Sequence, residues 1–242
     1  MRTSNKILLG IFVGPLIIIT CIHVALYAKY KSGHYVAMQT VQEDRYTTAY
    51  YKNISTVSVY GLNNFTIKPS DSIKLEVEKS RDGHLHYSFD GNTLVIHGDT
   101  TIKHSNGTSD YNRSYESVTL YLPLGTTVSA DNAEITLYGT KDSLKAQAYH
   151  FTLVNDASLK LDEDGDDSTH VYFKSLGINA NHSSGIELSG HARIFDLQLT
   201  LNQSAFTDNS ASVDKLTVEA DRLSNITLKG DNLRKLSLIK QP

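Results

Sequence analysis

Lys215-Leu216-Thr217-Val218 returns as Lys235-Leu236-Ser237-Leu238, an offset of 20 positions, and this recurrence narrows the folds open to the chain. The leucines that open successive alternating runs are Leu144, Leu176, Leu197, Leu216 and Leu236, at intervals of 32, 21, 19 and 20. A second mark falls midway through each unit, a small or polar pair ahead of an aliphatic strand: "DNAEITLYG", "NDASLKL", "HSSGIEL", "NQSAFTD" and "RLSNITLKG". Both marks advance together. Repeats of this length without a helical period predict that each unit stacks on the one before.

Beyond residue 50 alternation dominates, the mark of strands whose side chains point to opposite faces in turn. "ISTVSVYGL", "SIKLEVEKS", "TLVIHG" and "SVTLYLPLG" all show it. Asp90-Gly91 reads as a hairpin turn, because glycine accepts the positive φ such turns need. Asp99 to Ser117 is almost free of apolar residues and reads as a loop. The fold class that follows is all-β: a strand-rich first part over 51–125, then a single-stranded parallel β-solenoid over 126–242. A two-sheet sandwich is the main alternative, and it offers no reason for intervals near 20. Lys235, Lys240 and Pro242 would blunt the last open edge.

Ile7 to Ala28 carries no formally charged side chain and is bracketed by Lys6 and Lys29. At about 1.5 Å per residue it is long enough for a transmembrane helix. The expected order is a short cytoplasmic segment 1–6, a retained anchor 7–28 and a polar tether 29–50. A cleaved signal peptide would need a shorter apolar core and a better small-x-small site. Ile18-Ile19-Thr20-Cys21 only loosely resembles a lipoprotein cleavage box. Pro15 and His23 read as tolerated irregularities of a single span. The basic residues on the two sides nearly balance and do not orient it. A net charge of -3 and a pI near 6.3 argue against a nucleic-acid partner, and Cys21 as the one cysteine excludes an intrachain disulfide.

Chemistry-bearing residues are sparse. Asp162 to Asp167, "DEDGDD", would suit Ca²⁺, but an EF-hand loop needs glycine sixth and glutamate twelfth, where this chain has Asp167 and Phe173. It reads as a solvated turn. His84 and His86 share a strand face, with His97 opposite across the hairpin, but no carboxylate or cysteine accompanies them, and they read as surface histidines. His150, His170, His182 and His191 are placed on one face of the stack, with no nucleophile motif beside them. No catalytic residue, cofactor site or metal site is assigned. Tyr111, Tyr115, Tyr121 and Tyr138 would suit a binding surface, since the ring is apolar and the hydroxyl polar, but core or strand-face packing is the commoner role for any single one.

"VSVYGLNNFTIKPSDSIKLEVEKSRDGHLHYSFDGNTLVIHG", then "ESVTLYLPLGTTVSADNAEITLYG", then the repeats, resembles the bacterial putative auto-transporter adhesin family with the head GIN domain, and the related putative adhesin domain. The L-x-I strand is Leu94-Val95-Ile96, and the V-x-x-P strand is Val118 to Pro123. Gly-Ser-Gly corners of that family are here Asn, Asp, Ser and Ala. The resemblance implies a β-solenoid envelope protein, single-pass in the inner membrane, its C-terminal domain facing the periplasm or the exterior. The expected function is non-enzymatic: a surface for interaction or adhesion, with the membrane as partner through 7–28 and an unidentified envelope protein or glycan as the other. One alternative is a polysaccharide-active β-helix enzyme using an acid such as Asp196 or Asp208. Another is an envelope-stress or regulatory component that meets a membrane partner near Cys21.

Overall fold

The computed structural model describes residues 3–31, 45–79, 85–98, 101–103, 109–111, 117–162 and 170–239. Two compact units result, Met1–Arg45 and Tyr46–Pro242. The first contains helix α1 (Thr3–Lys31), with Pro15 inside it and Lys29 and Lys31 in its last turn, where cations favour the helix dipole. The Thr20 hydroxyl donates to the Leu16 carbonyl at 2.7 Å. The expected transmembrane anchor over 7–28, and the inner-membrane location built on it, is not supported: among the described residues no helix is long and apolar enough to cross a membrane. Pro15, Thr20 and His23 lower the apolar character of α1 along its length.

The second unit is built of strands. In chain order they are β1 (Tyr46–Tyr51), β2 (Thr56–Tyr60), β3 (Phe65–Pro69), β4 (Ile73–Glu78), β5 (Leu85–Asp90), β6 (Thr93–Gly98), β7 (Thr101–Lys103), β8 (Ser109–Tyr111), β9 (Val118–Leu122) and β10 (Thr127–Asp131). There follow β11 (Glu134–Tyr138), a 3-10 turn (Ser143–Lys145), β12 (Gln147–Val154), β13 (Ser158–Asp162), β14 (Val171–Asn181), β15 (Gly185–Leu188) and β16 (Ala192–Asn202). The chain closes with β17 (Ala205–Asp208), β18 (Ser212–Ala220), β19 (Asn225–Thr227), the short helix α2 (Asn232–Lys235) and β20 (Leu236–Ile239).

Two nine-stranded sheets form, sheet I in the order β1-β4-β9-β3-β11-β13-β15-β17-β19 and sheet II in the order β20-β18-β16-β14-β12-β10-β2-β6-β5. Their inward side chains, alternating along each strand, share one hydrophobic cluster that includes Val57, Phe65, Leu120, Phe151, Phe173, Leu199 and Phe206. From β10 to β20 the chain passes back and forth between the sheets, and neighbours within each sheet pair in parallel. Leu176, Leu197, Leu216 and Leu236 stand opposite one another in register.

The expectation of a single-stranded, wholly parallel solenoid is overturned. Both sheets are mixed, because β1 pairs antiparallel with β4, β4 with β9, and β5 with β6. The physical cause lies in the connections. A tight turn returns a strand antiparallel, whereas parallel neighbours need a crossover. Gly91, at φ 57, makes such a turn between β5 and β6. Leu144 is no register mark either. It is 94% exposed on the 3-10 turn, and Tyr149, 1% exposed, stands opposite Leu176 in its place. Its hydroxyl donates to Gln147 Oε1 at 2.6 Å, and burial pushes the phenol above its ordinary pKa.

One set of corners between the sheets is uniform. Gly61, Asn132, Asn155, His182 and Gln203 all have positive φ, between 48° and 63°, and the corner then places a buried small or apolar residue: Leu62, Ala133, Ala157, Ser184 and Ser204. Asparagine tolerates the left-handed region better than most side chains. The ladder runs on through these corners: Glu134 N donates to Leu62 O, Ser158 N to Ala133 O, Gly185 N to Ala157 O, and Ala205 N to Ser184 O, all at 2.7–2.9 Å. His182 N donates to Asn202 O at 3.1 Å, but at the next corner Gln203 N turns to the Asp221 carboxylate at 3.2 Å. The Ser224 hydroxyl and the backbone N–H groups of Gln203, Leu223 and Ser224 hold Asp221 below its ordinary pKa.

Gln203→Val, a β-branched side chain at positive φ, is expected to lower unfolding free energy by about 1–2 kcal/mol relative to Gln203→Gly in urea titrations. Because its folded pKa is lowered, Asp221 contributes stability that is complete above the ordinary carboxylate value of 3.8 and disappears as the pH falls below it. The stability gap between wild type and Asp221→Asn should therefore close in thermal melts taken below that pH, and a gap that persists would refute the capping role.

Candidate functional site

On the outward face of sheet I, Tyr50 stands opposite Lys74, Lys74 opposite Tyr121, and Tyr121 opposite Lys68, while Tyr138 follows the paired Leu137 of the next strand. Five adjacent strands thus carry tyrosine and lysine in alternation. With strands about 4.8 Å apart, the row spans roughly 19 Å across the sheet. Strand alternation turns Lys74, Tyr121, Lys68 and Tyr138 outward, since their neighbours Leu75, Leu120, Ile67 and Leu137 are buried, and Tyr50 is itself exposed.

The row is locked by electrostatics. Lys74 Nζ lies 3.7 Å from the Tyr121 ring centroid and 2.7 Å from Glu76 Oε1, and Tyr121 Oη donates to Glu76 Oε2 at 3.0 Å. Lys68 Nζ lies 5.0 Å from the Tyr138 ring centroid. Burial and the hydrogen bond to Glu76 push the Tyr121 phenol above its ordinary value. Burial pulls the Lys74 ammonium down, but the hydrogen bond and charge of Glu76 raise it overall. Tyr50, at the edge of the row, is 72% exposed.

Farther along the same face a groove of about 600 Å³ runs over a column of small residues, Ser158, Gly185 and Ala205, which pair in register. Thr136, Lys160 and Glu187 stand beside it, and Glu187 accepts from Asn209 Nδ2 at 2.8 Å.

Of the residues singled out in the sequence, Tyr121 and Tyr138 meet in this row, and the others scatter. His86 and His97 do face each other across β5 and β6, and His97 stacks on Tyr60 with centroids 4.6 Å apart. His84, Tyr111, Tyr115 and the acidic run from Asp162 to Asp167 lie outside the residues whose side chains are described. His150 is on the outward face of sheet II, and His182 is a left-handed corner. His170 and His191 are neighbours, their rings 6.2 Å apart, so the four do not share one face. Among the described residues no three histidine, cysteine or carboxylate groups converge to hold a metal.

Asp208 is fully buried, opposite Leu188 at an inward position. Its Oδ1 accepts from Ala211 N at 2.8 Å, and its Oδ2 accepts from Asn232 Nδ2 at 2.9 Å and from Lys229 N at 3.3 Å. Asn232 also donates to Ala211 O at 2.6 Å and accepts from Val213 N at 3.3 Å. That acid is sealed from solvent and fully engaged within the protein. Asp196 sits on sheet II, its Oδ2 taken by Gln198 at 3.2 Å and Lys215 at 3.4 Å. The Tyr/Lys row escaped sequence reading because its members come from β1, β4, β9, β3 and β11, which only register brings together. Asn232→Ala should destabilise the unit by about 1–3 kcal/mol, because it strands the buried Asp208 carboxylate; urea denaturation followed by circular dichroism measures it.

No family model and no curated protein sequence matches the chain. Among solved structures it is similar to a putative adhesin from Parabacteroides distasonis, with TM-score 0.47 and 10% identity, covering 80% of this chain and 74% of that one. A putative cell adhesion protein from Clostridium sporogenes gives TM-score 0.29 and 10% identity over 76% of this chain and 99% of that one. A putative lipid binding protein from Parabacteroides distasonis gives 0.23 and 12% identity over 81% and 97%. TM-scores this low define no shared fold, and each description stays with the protein that bears it.

Proposed function

We propose that the protein is a non-enzymatic, adhesin-type binding module of the head GIN kind, engaging an extended surface polymer through the outward face of sheet I. The observation that carries this reading is the alternating row of Tyr50, Lys74, Tyr121, Lys68 and Tyr138, continued by the groove over Ser158, Gly185 and Ala205. Tyrosine offers contact area with few torsions to freeze, and its hydroxyl still bonds to a polar partner. Lys68 and Lys74 hold neighbouring rings in place through cation–π contacts, so the surface is set before a ligand arrives. A linear chain lying across the strands would meet the row and the groove in succession. The polysaccharide-cleaving alternative loses one of its two named acids, since Asp208 is sealed in the core.

Retention on immobilised polysaccharides and on intact cells tests the reading. The combined Tyr50→Ala and Lys68→Ala variant should melt with the wild type yet lose about tenfold in apparent affinity, a change of 1.4 kcal/mol. Equal retention of the variant, or release of new reducing ends by the wild type, would overturn it.

A further inference from the structure

The outward face of sheet II carries no formal charge over its middle. Around Gly177 stand Thr127, His150, Thr152, Asn179, Gln198 and Thr200, lining a hollow of about 310 Å³. Charged side chains border it: Asp131 on β10, Lys174 on β14, Arg193 and Asp196 on β16, and Lys215 and Glu219 on β18, with Glu219 opposite Thr200 and Asp196 bonded to Gln198.

Glycine inside a strand weakens it by about 0.5–1 kcal/mol relative to alanine and marks a place where another group must come close. Here the group is an imidazole. A Cβ on Gly177 would lie 2.6 Å from His150 Nδ1 and 3.1 Å from Cε1, so only glycine lets the ring of His150 lie across the adjacent strand. The ring thereby reaches over Gly177, within the residues that line the hollow. Gln198 gives Nε2 to Asp196 at 3.2 Å, which leaves its Oε1 free to accept. Among the described residues, the side chains of His150, Thr152, Asn179 and Thr200 make no hydrogen bond within the protein.

We infer that this hollow binds a neutral sugar unit of a glycan. An anionic ligand would find no lysine or arginine in it, and a cationic one no carboxylate. Sugar hydroxyls both donate and accept, and so do the amide and hydroxyl groups of Asn179, Thr152 and Thr200, while the His150 ring offers the flat surface on which a sugar face rests. The volume is at the lower end of the roughly 300–1,000 Å³ of small-ligand sites, the scale of a single ring. The site is on the opposite sheet from the tyrosine row and does not depend on the reading of that row.

The full chain, labelled with ¹⁵N, is to be titrated with maltohexaose, cellohexaose and mannohexaose as neutral probes and with hexagalacturonate as the acidic one. At least one neutral probe should shift amides of β12, β14 and β16 next to Gly177, and hexagalacturonate should bind more weakly. Asn179→Ala, an exposed change that leaves the core intact, should weaken the neutral probe about fivefold to tenfold. Arg222→Ala, an exposed change in the turn between β18 and β19, should leave it unchanged. The inference is overturned by any of four results: no shift with all three neutral probes, shifts that map elsewhere, full affinity in Asn179→Ala, or acidic binding as tight as neutral.

Discussion

The structure depends on a hydrogen-bond ladder that does not break at the corner between the sheets. In most sheets the ladder stops where a strand ends; here Leu62, Ala133, Ala157 and Ser184 carry it around the bend, each accepting from the next layer. That is possible only if every layer turns in the same way. Each corner must therefore hold a residue in the left-handed region, followed closely by one small or apolar enough to be buried against its neighbours above and below. A misfit corner would cost its own strain and would also unpair the backbone groups of the adjoining layers. Ser184 and Ser204 show how tightly the rule is kept: their hydroxyls, taken inside, return hydrogen bonds to Asn181 O and Asn202 O.

The two sides of the stack use different side chains. Toward β19 and β20 carboxylates take up backbone and amide donors: Asp221 receives the Gln203 N–H, and buried Asp208 gathers Ala211, Lys229 and Asn232. At the other end the antiparallel strands β1 and β5 supply Tyr51 and Phe89, whose rings lie 5.2 Å apart. Polar groups cap one end and aromatic rings the other. Antiparallel pairing at that aromatic end is what makes both sheets mixed.

How much of this was legible depends on whether a feature is local in sequence. The positions of Leu176, Leu197, Leu216 and Leu236, the Asp90-Gly91 turn, and the small polar pairs that proved to be corners could all be read, because alternation and turn chemistry act over a few residues. Leu144 misled because apolar character does not distinguish a core position from an exposed turn, and Tyr149 took its place by finding a partner for its hydroxyl in Gln147. Asp208 was named only as an acid that a polysaccharide-active alternative could use, and nothing near it in sequence marks it as buried. Its burial is decided by Asn232, in a helix 24 residues away. The strand order of the first half could not be read at all, since β4 lies between β1 and β9 through contacts that no sequence period encodes.

The same division bears on where binding can reside. Inward positions are filled by a continuous apolar cluster, corners are fixed by backbone geometry, and the ends are occupied by caps. Outward strand positions alone are released from the fold, and there the two sheets differ: sheet I sets tyrosines between lysines, whereas the hollow around Gly177 on sheet II is lined by amides, hydroxyls and the His150 imidazole. If outward positions answered only to solubility and strand propensity, both faces should carry the same scattered mixture of threonine and charge. They do not, and Gly177 sharpens the point: strand propensity disfavours glycine there, and what the chain gains for it is room for the His150 imidazole on a surface that needs no such group to fold.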